Sequence, residues 1–139
     1  MKVLVDTSVW ADFFNGYPSP EKKTLSRLIA GDDEIFTCGV IVAEVFLGLR
    51  RDKGRADVVR LFRELVFVEP TGIETYLRAA DVYRALRRRG VTVRSTIDCL
   101  IAVLAEENEC SVLARDRDLR TVLASGLLKA RSRQLGIGR

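Results

Sequence analysis

The chain has 139 residues, a length typical of one domain with one hydrophobic core. It is 47% hydrophobic and 30% charged, which argues against a disordered chain, and it has no apolar run of the roughly 20 residues needed to span a membrane. The formal charge of +4 permits contact with nucleic acid without requiring it. No histidine is present, which excludes Ser–His–Asp and Cys–His catalysis and nuclease mechanisms that depend on histidine.

Short strands and helices are predicted to alternate along the whole chain. The strands are uniformly apolar and are predicted at Lys2–Val5, Glu34–Cys38, Val66–Val68, Ser111–Ala114 and, weakly, near Leu127–Ala130. Apolar periodicity predicts helices at Thr7–Phe14, Glu21–Ala30, Val40–Leu49, about Lys53–Leu65, Ile73–Arg89, Ser95–Glu107 and shortly after Asp118. This order predicts an α/β fold, a three-layer α/β/α sandwich with a short, mostly parallel central sheet, in a single domain over residues 1–139.

Two of the predicted strands run directly into an aspartate. Asp6 follows the first strand, and Asp116 follows the strand at Ser111–Ala114. Parallel sheets bind ligands beyond the carboxyl ends of their strands, at the point where the strand order changes direction. If these two strands are neighbours at that point, Asp6 and Asp116 lie on the same rim.

Each acidic position also has a plain structural explanation. Asp6 is a possible helix cap, Asp98 a partner of Ser95 in a capping box, and Asp116 and Asp118 part of a solvated, capped turn. Glu44 is harder to explain, because its segment VIVAEVFLGL is apolar on nearly all sides and is therefore expected to be buried. The structural alternative for Glu44 is an exposed position on a narrow polar strip.

Together, the acidic positions occupy strand ends or helix starts in one parallel layout. Several carboxylates in one place repel one another, because like charges close together cannot all stay ionised. A divalent cation removes this cost, and oxygen ligands favour Mg²⁺ or Mn²⁺. Such an ion also lowers the pKa of bound water and neutralises a phosphate, which substitutes for the missing histidine.

Four blocks of the chain resemble a PIN domain and, more narrowly, the VapC toxins of toxin–antitoxin pairs. The blocks are DTSVW, VIVAEVFLGL, RSTIDCLIAVLA and VLARDRDL. The resemblance implies a PIN-like nuclease domain, a Mg²⁺- or Mn²⁺-dependent endoribonuclease that acts on tRNA or rRNA loops, a homodimer and inhibition by a small antitoxin protein. By similarity the catalytic acids are Asp6, Glu44, Asp98 and Asp116; the metal ligands are Asp6, Asp98, Asp116 and, as an auxiliary, Asp118; Thr7 and Ser8 line the site. The chain departs from the family pattern at Ala114, where a polar residue is common, and at Leu119, where Phe is usual.

Other residues are candidates for contact with RNA or with a protein partner. Arg94, Arg115 and Arg117 flank the acidic blocks and are candidates to bind RNA phosphates, whereas the arginines at 87–89 are expected on a solvated helix face. Trp10 is expected in the core or at a dimer contact more than against a base. An apolar groove for an antitoxin helix is predicted among Phe46, Leu47, Leu49, Leu61 and Phe62.

Three other functions were compatible with parts of the pattern. A non-toxin PIN ribonuclease of RNA maturation or decay and a degenerate PIN module that only binds remain alternatives. A phospho-receiver is disfavoured, because the strand at Val66–Val68 is followed by Glu69 and not by a phosphate-accepting aspartate. The three cysteines have no metal-binding spacing and are expected to be reduced, and no secretory signal is recognised, so a cytoplasmic location is expected.

Overall fold

The structure, a computed structural model, describes residues 1–49, 52 and 54–133. Its strands are β1 (Lys2–Val5), β2 (Glu34–Cys38), β3 (Val66–Val68) and β4 (Ser111–Leu113). Its helices are α1 (Thr7–Asn15), α2 (Pro20–Ala30), α3 (Gly39–Leu47), α4 (Arg55–Glu64), α5 (Ile73–Arg88), α6 (Thr96–Glu107) and α7 (Arg117–Ala124). No helix in these described ranges is long and apolar enough to cross a membrane.

The four strands form one parallel sheet in the order β3-β2-β1-β4. The chain builds outward from β1 through β2 to β3 and then returns to place β4 on the other side of β1. The strand order therefore reverses between β1 and β4, which is where parallel sheets bind ligands. Asp6 N donates to Leu113 O at 2.9 Å, so the pairing of these two strands continues to the rim of the sheet.

Helices cover both faces of the sheet. Val3, Leu4 and Val5 are all buried although successive side chains of a strand point to opposite faces. Right-handed crossovers place α1–α4 on one face and α5 and α6 on the other, because the crossover to β4 runs in the opposite direction. Consistent with this, α1 packs against α2 and α3, and α6 packs against α5 and α7. The predicted three-layer sandwich is confirmed.

The predicted fifth strand near Leu127–Ala130 is wrong. Side chains of two helices hold this segment instead, since Arg78 Nη2 donates to Leu127 O and Glu106 Oε2 accepts from Lys129 N. A single parallel bridge forms further along, between Val112 and Ser132. The start predicted for the fourth helix, near Lys53, lies outside the described residues.

Trp10 belongs to the core. Its indole is fully buried and contacts the rings of Phe62 and Phe14, with centroid separations of 4.8 and 5.6 Å. These contacts join α1 to α4, so the aromatic cluster holds the helix that begins at Asp6. The expectation that Trp10 packs in the core is confirmed. Among the described residues its indole Nε1 has no hydrogen-bond partner.

Replacing Trp10 tests how much this aromatic cluster contributes to the free energy of unfolding. We expect Trp10→Ala to lower the free energy of unfolding by about 3–5 kcal/mol, because a cavity replaces a large buried side chain. Trp10→Phe should cost less, because it also removes the unpaired N–H. Urea unfolding followed by circular dichroism measures both, and a loss below about 1 kcal/mol for the alanine variant would contradict the assignment.

Candidate metal-binding active site

Asp6 lies at the carboxyl end of β1 and is almost fully buried. It caps α1, and its Oδ2 accepts hydrogen bonds from Ser8 N at 3.3 Å and Ser8 Oγ at 2.9 Å. Burial raises the pKa of the Asp6 carboxyl, although the bonds from Ser8 oppose this, and the nearby Asp116 raises it further. The predicted cap is therefore real, but it engages a carboxylate that also faces the rim.

Asp116 caps α7 in the same way at the end of the turn that follows β4. Its Oδ1 accepts hydrogen bonds from Asp118 N at 2.8 Å and Leu119 N at 3.1 Å. Asp118 lies in the first turn of α7, and its Oδ2 accepts from both the backbone N and the Nε of Arg94. These bonds from Arg94 lower the pKa of the Asp118 carboxyl.

Asp98 faces these two aspartates from the first turn of α6. Ser95 caps this helix through Ile97 N, and the Asp98 carboxylate makes no hydrogen bond within the part of the chain that the structure describes, so the reciprocal capping box is absent. Oxygen atoms of Asp98, Asp116 and Asp118 all lie within 4.8 Å of one another. Burial, followed by the charges of Asp116 and Asp6, raises the pKa of Asp98 from 3.8 to about 7.

Glu44 reaches the same cleft from α3. Thr7 Oγ1 donates to Glu44 Oε1 at 3.4 Å, and burial together with the charge of Asp6 raises the pKa of Glu44. The expectation that this helix is buried on nearly all sides is wrong. Only Ile41 and Val45 are buried on α3, and Glu44 itself is exposed. Hydrophobicity failed as a guide here because α3 has an apolar outer surface, on which Leu47 is 88% exposed.

The structure thus brings four of the five predicted acidic residues, all except Asp118, into the lining of one cleft of about 440 Å³. Its lining consists of Asp6, Thr7, Ser8, Glu44, Arg94, Ser95, Ile97, Asp98, Ile101 and Asp116. Ser8 occupies a central position, because its Oγ also accepts hydrogen bonds from Arg115 N at 3.1 Å and Asp116 N at 3.3 Å. The Ser8 hydroxyl therefore connects the first turn of α1 to the turn after β4.

The three arginines predicted as phosphate contacts are placed differently from one another. Arg94 lies at the cleft, highly exposed, with Nε 3.1 Å from Asp118 Oδ2 and Nη2 3.7 Å from Asp116 Oδ2. Arg117 is exposed at the start of α7. Arg115 instead makes a two-point ion pair with Asp12, so its guanidinium faces α1 and not the cleft.

Asp12 is a residue whose importance the sequence pattern did not reveal. It lies on α1 and is 3% exposed, which is rare for an acidic side chain. The available signal was its position four residues after Ser8, on the helix face that points toward the turn after β4. Without a partner visible nearby in sequence, Asp12 had the pattern of an ordinary exposed helix residue.

The donor set fits a hard divalent cation. All the ligand candidates are carboxylate oxygens, and one oxygen from each of Asp98, Asp116 and Asp118 lies within 4.8 Å of the other two, so a small inward shift would bring them around one ion. Arg94 supplies one positive charge against this group of carboxylates. Burial is the largest cause of the raised pKa of Asp98, and the charges of Asp116 and Asp6 raise it further in spite of Arg94.

Comparison with known proteins identifies the class of protein to which this arrangement of strands and acids belongs. Residues 3–123 match the PIN domain family. The chain is 33% identical over 131 residues to Ribonuclease VapC11 of Mycobacterium tuberculosis and to VapC ribonuclease Mb1587 of Mycobacterium bovis, covering 94% of this chain and 98% of each relative. The chain therefore belongs to the PIN domain family and, within it, to the VapC ribonucleases.

Solved structures share the fold. The VapBC2 complex of Rickettsia felis, bound to a DNA fragment from its promoter, contains a chain with a TM-score of 0.71 at 14% identity, covering 96% of this chain and 100% of that one. VapC20 of Mycobacterium tuberculosis, a toxin that cleaves the sarcin–ricin loop, has a TM-score of 0.61 at 22% identity, covering 93% of this chain and 98% of that one. These likenesses support the three-layer fold.

The raised pKa of Asp98 makes the stability of the metal-free protein depend on pH. A folded-state pKa of about 7, against 3.8 unfolded, means that the folded state binds the proton more tightly, so this contribution to stability is complete below pH 4 and is lost as pH rises to about 7. We expect the melting temperature in EDTA to fall over this interval. Asp98→Asn should flatten the profile, and added Mn²⁺ should restore the melting temperature at pH 8 in the unaltered protein. A profile identical in the Asp98→Asn protein would contradict the assignment.

Proposed function

We propose that this chain is a divalent-metal-dependent endoribonuclease that hydrolyses phosphodiester bonds in structured RNA and acts as the toxin of a toxin–antitoxin pair. The observation that carries the proposal is the convergence of Asp6, Glu44, Asp98 and Asp116, from four distant segments, on one cleft. VapC relatives named as ribonucleases support the activity, and neighbours solved as VapBC complexes support the pairing. Retention of all four acids argues against a degenerate module that only binds.

Asp98, Asp116 and Asp118 are the residues best placed to hold a Mg²⁺ or Mn²⁺ ion, and Asp6 adds a further carboxylate on the same rim. When bound, such an ion lowers the pKa of a water molecule and neutralises phosphate charge in the transition state. The backbone N of Asp118 holds one carboxylate oxygen of Asp116, and the Ser8 hydroxyl holds one oxygen of Asp6. Both carboxylates are therefore oriented before any ligand arrives. Pre-orientation of this kind avoids a reorganisation cost during the reaction.

Glu44 is suited to accept a proton from the attacking water, or to bind a second ion. It is exposed to the cleft, its Oε1 is oriented by Thr7, and burial together with the charge of Asp6 raises its pKa, which makes the carboxylate a stronger base. Because water is the nucleophile, the 2′-hydroxyl takes no part in the attack. Cleavage then leaves a 5′-phosphate and a 3′-hydroxyl.

Arg94 and Arg117 are the cationic side chains proposed to contact RNA. Both are exposed, and Arg94 borders the acidic cluster, where a phosphate beside the cleft would lie within its reach. Single-stranded loops are favoured as substrates because their backbones can bend into a cleft that a regular duplex cannot enter. A tRNA or rRNA loop is the proposed substrate class.

Removing one carboxylate tests the catalytic proposal. Asp98→Asn should reduce RNA cleavage more than about 100-fold, because it removes a ligand charge from the cluster. Asp57→Asn is the matched control, since among the described residues the Asp57 side chain makes an exposed ion pair with Arg60 on α4. Sequencing of RNA ends after brief expression measures both the cleavage and the end chemistry. Products with 2′,3′-cyclic phosphates, or cleavage undiminished in Asp98→Asn, would refute the mechanism.

An apolar groove between α3, α4 and β3 is the proposed antitoxin site. Phe46, Phe62 and the half-exposed Phe67 line it together with Val42, Ala43, Val59 and Leu65. Of the predicted groove residues, Phe46 and Phe62 line the groove, Leu47 is exposed beside it, and Leu49 and Leu61 pack against the core. Arg55 and Arg63 lie in the wall, so the complementary partner is an amphipathic antitoxin segment with acidic residues beside its apolar face.

A separate apolar stripe on α5 is the proposed contact for a homodimer. Ile73, Tyr76 and Leu77 occupy one side of α5 and are each more than half exposed. A convex helix stripe suits a twofold contact, in which the same patch serves both partners, better than it suits a wrapped peptide. The groove and the stripe therefore have different proposed occupants.

Two matched substitutions distinguish the proposed role of the groove from that of the α5 stripe. Phe67→Ser should weaken capture of the small protein encoded by the adjacent gene by at least about tenfold, because a half-buried aromatic anchor is lost. Tyr76→Ser should instead shift the protein toward monomer in light scattering without changing that capture. Calorimetry and light scattering on both variants provide the measurements. Equal effects of both substitutions on capture would contradict the groove assignment.

A further inference from the structure

We propose that Arg115 and Asp12 form a positioning pair that sets the separation between the aspartates after β1 and β4. This inference rests on the proposed function, because it concerns how the metal-binding carboxylates are held. Neither residue lines the cleft, so neither is a catalytic residue. Their proposed role is to hold the turn that carries Asp116 against the helix that begins at Asp6.

The pair has two parallel hydrogen bonds. Arg115 Nε donates to Asp12 Oδ2 at 2.7 Å and Arg115 Nη2 donates to Asp12 Oδ1 at 3.1 Å. This fork geometry fixes orientation as well as distance, unlike a single contact between point charges. Asp12 is nearly fully buried whereas the Arg115 side chain is 52% exposed, so solvent reaches the pair only from the Arg115 side.

The pair completes a row of anchors along one face of α1. Ser8 Oγ accepts hydrogen bonds from the backbone N of Arg115 and of Asp116, and Asp12, one helical turn later, binds the Arg115 side chain. Residues four apart share a helix face, so both anchors hold the same turn. Two consecutive residues of the turn therefore make four hydrogen bonds to α1.

These anchors act against a repulsion. The charges of Asp6 and Asp116 oppose each other across the strand junction, and a turn held less firmly would move Asp116 away from Asp6. Small displacements matter at a metal site, because ligand positions must be held to within a few tenths of an ångström. Loss of the pair is expected to weaken cation binding even though no ligand is removed.

Replacing only one partner of the pair would lower the stability of the protein as well as release the turn. Removing only Arg115 leaves a buried, unpaired carboxylate, which is strongly destabilising. Replacing both partners by apolar residues of similar size is often neutral for stability. The double variant Asp12→Leu/Arg115→Met therefore removes the positioning without leaving a buried charge, and Arg115→Lys keeps the charge while removing the fork.

The experiment measures Mn²⁺ binding by calorimetry and thermal stability by circular dichroism in metal-free protein. We expect the dissociation constant for Mn²⁺ to rise about 10- to 100-fold in Asp12→Leu/Arg115→Met, the range typical when groups behind metal ligands are lost. Arg115→Lys should give a smaller increase with nearly unchanged melting temperature. The same order should appear in the Mg²⁺ concentration needed for half-maximal RNA cleavage.

The control is a second two-point pair, Arg78 with Glu106, which joins α5 to α6 away from the cleft. Arg78→Met/Glu106→Leu should leave the Mn²⁺ dissociation constant within twofold of the unaltered protein. An unchanged constant in both Arg115 variants, or an equal rise in the control, would overturn the positioning role alone. Absence of Mn²⁺ binding and RNA cleavage in the unaltered protein would overturn the proposed function as well. If the double variant unfolds, Arg115→Lys decides the question.

Discussion

The main constraint on this structure is that the fold brings several carboxylates, which repel one another, together at one rim of the sheet. Strand order places β4 beside β1, so the residues that follow them meet, and the first turn of α6 adds a third acid. The pKa values of Asp6, Glu44 and Asp98 are all raised, with burial as the largest cause and neighbouring acids contributing. This concentration of negative charge is the feature on which the proposed metal site rests.

The capping and the functional interpretations of these acids do not exclude each other. Asp6 and Asp116 are both helix N-caps, and each keeps a second carboxylate oxygen outside the cap. In Asp116, Oδ1 accepts the cap bonds while Oδ2 faces Arg94. Capping fixes the rotation of the carboxylate and therefore the direction of its second oxygen. A cap and a ligand are thus compatible roles for one aspartate.

Much of the fold was predictable because its strands are short and mostly apolar and because glycine or a charged turn ends most helices. The rim position of Asp6 and Asp116 followed from the parallel topology alone. The contacts between distant segments did not follow. Nothing local indicates that Asp12 pairs with Arg115, 103 positions away, or that Arg78 and Glu106 hold the segment near Leu127 away from the sheet.

Glu44 lies in the cleft, but the argument from burial that singled it out is wrong. Apolar neighbours do not by themselves indicate burial within one chain, since α3 exposes Leu47 beside the groove that contains Phe67. A hydrophobic pattern shows that a face avoids water and cannot say whether the surface that covers it belongs to the same chain. Glu44 therefore faces the cleft, whereas Leu47 lies on the exposed surface of the same helix.

The relative size of the electrostatic effects explains how a chain without histidine obtains a group that titrates near neutrality. Asp98 lies in the first turn of α6, where the helix favours a negative charge by about 0.3–1 kcal/mol and should lower its pKa. The pKa is nevertheless about 7, so burial and the surrounding acids outweigh the helix terminus. Under the proposed function, a proton and a divalent cation would compete for this cluster, and metal binding would strengthen as the proton leaves, without any histidine.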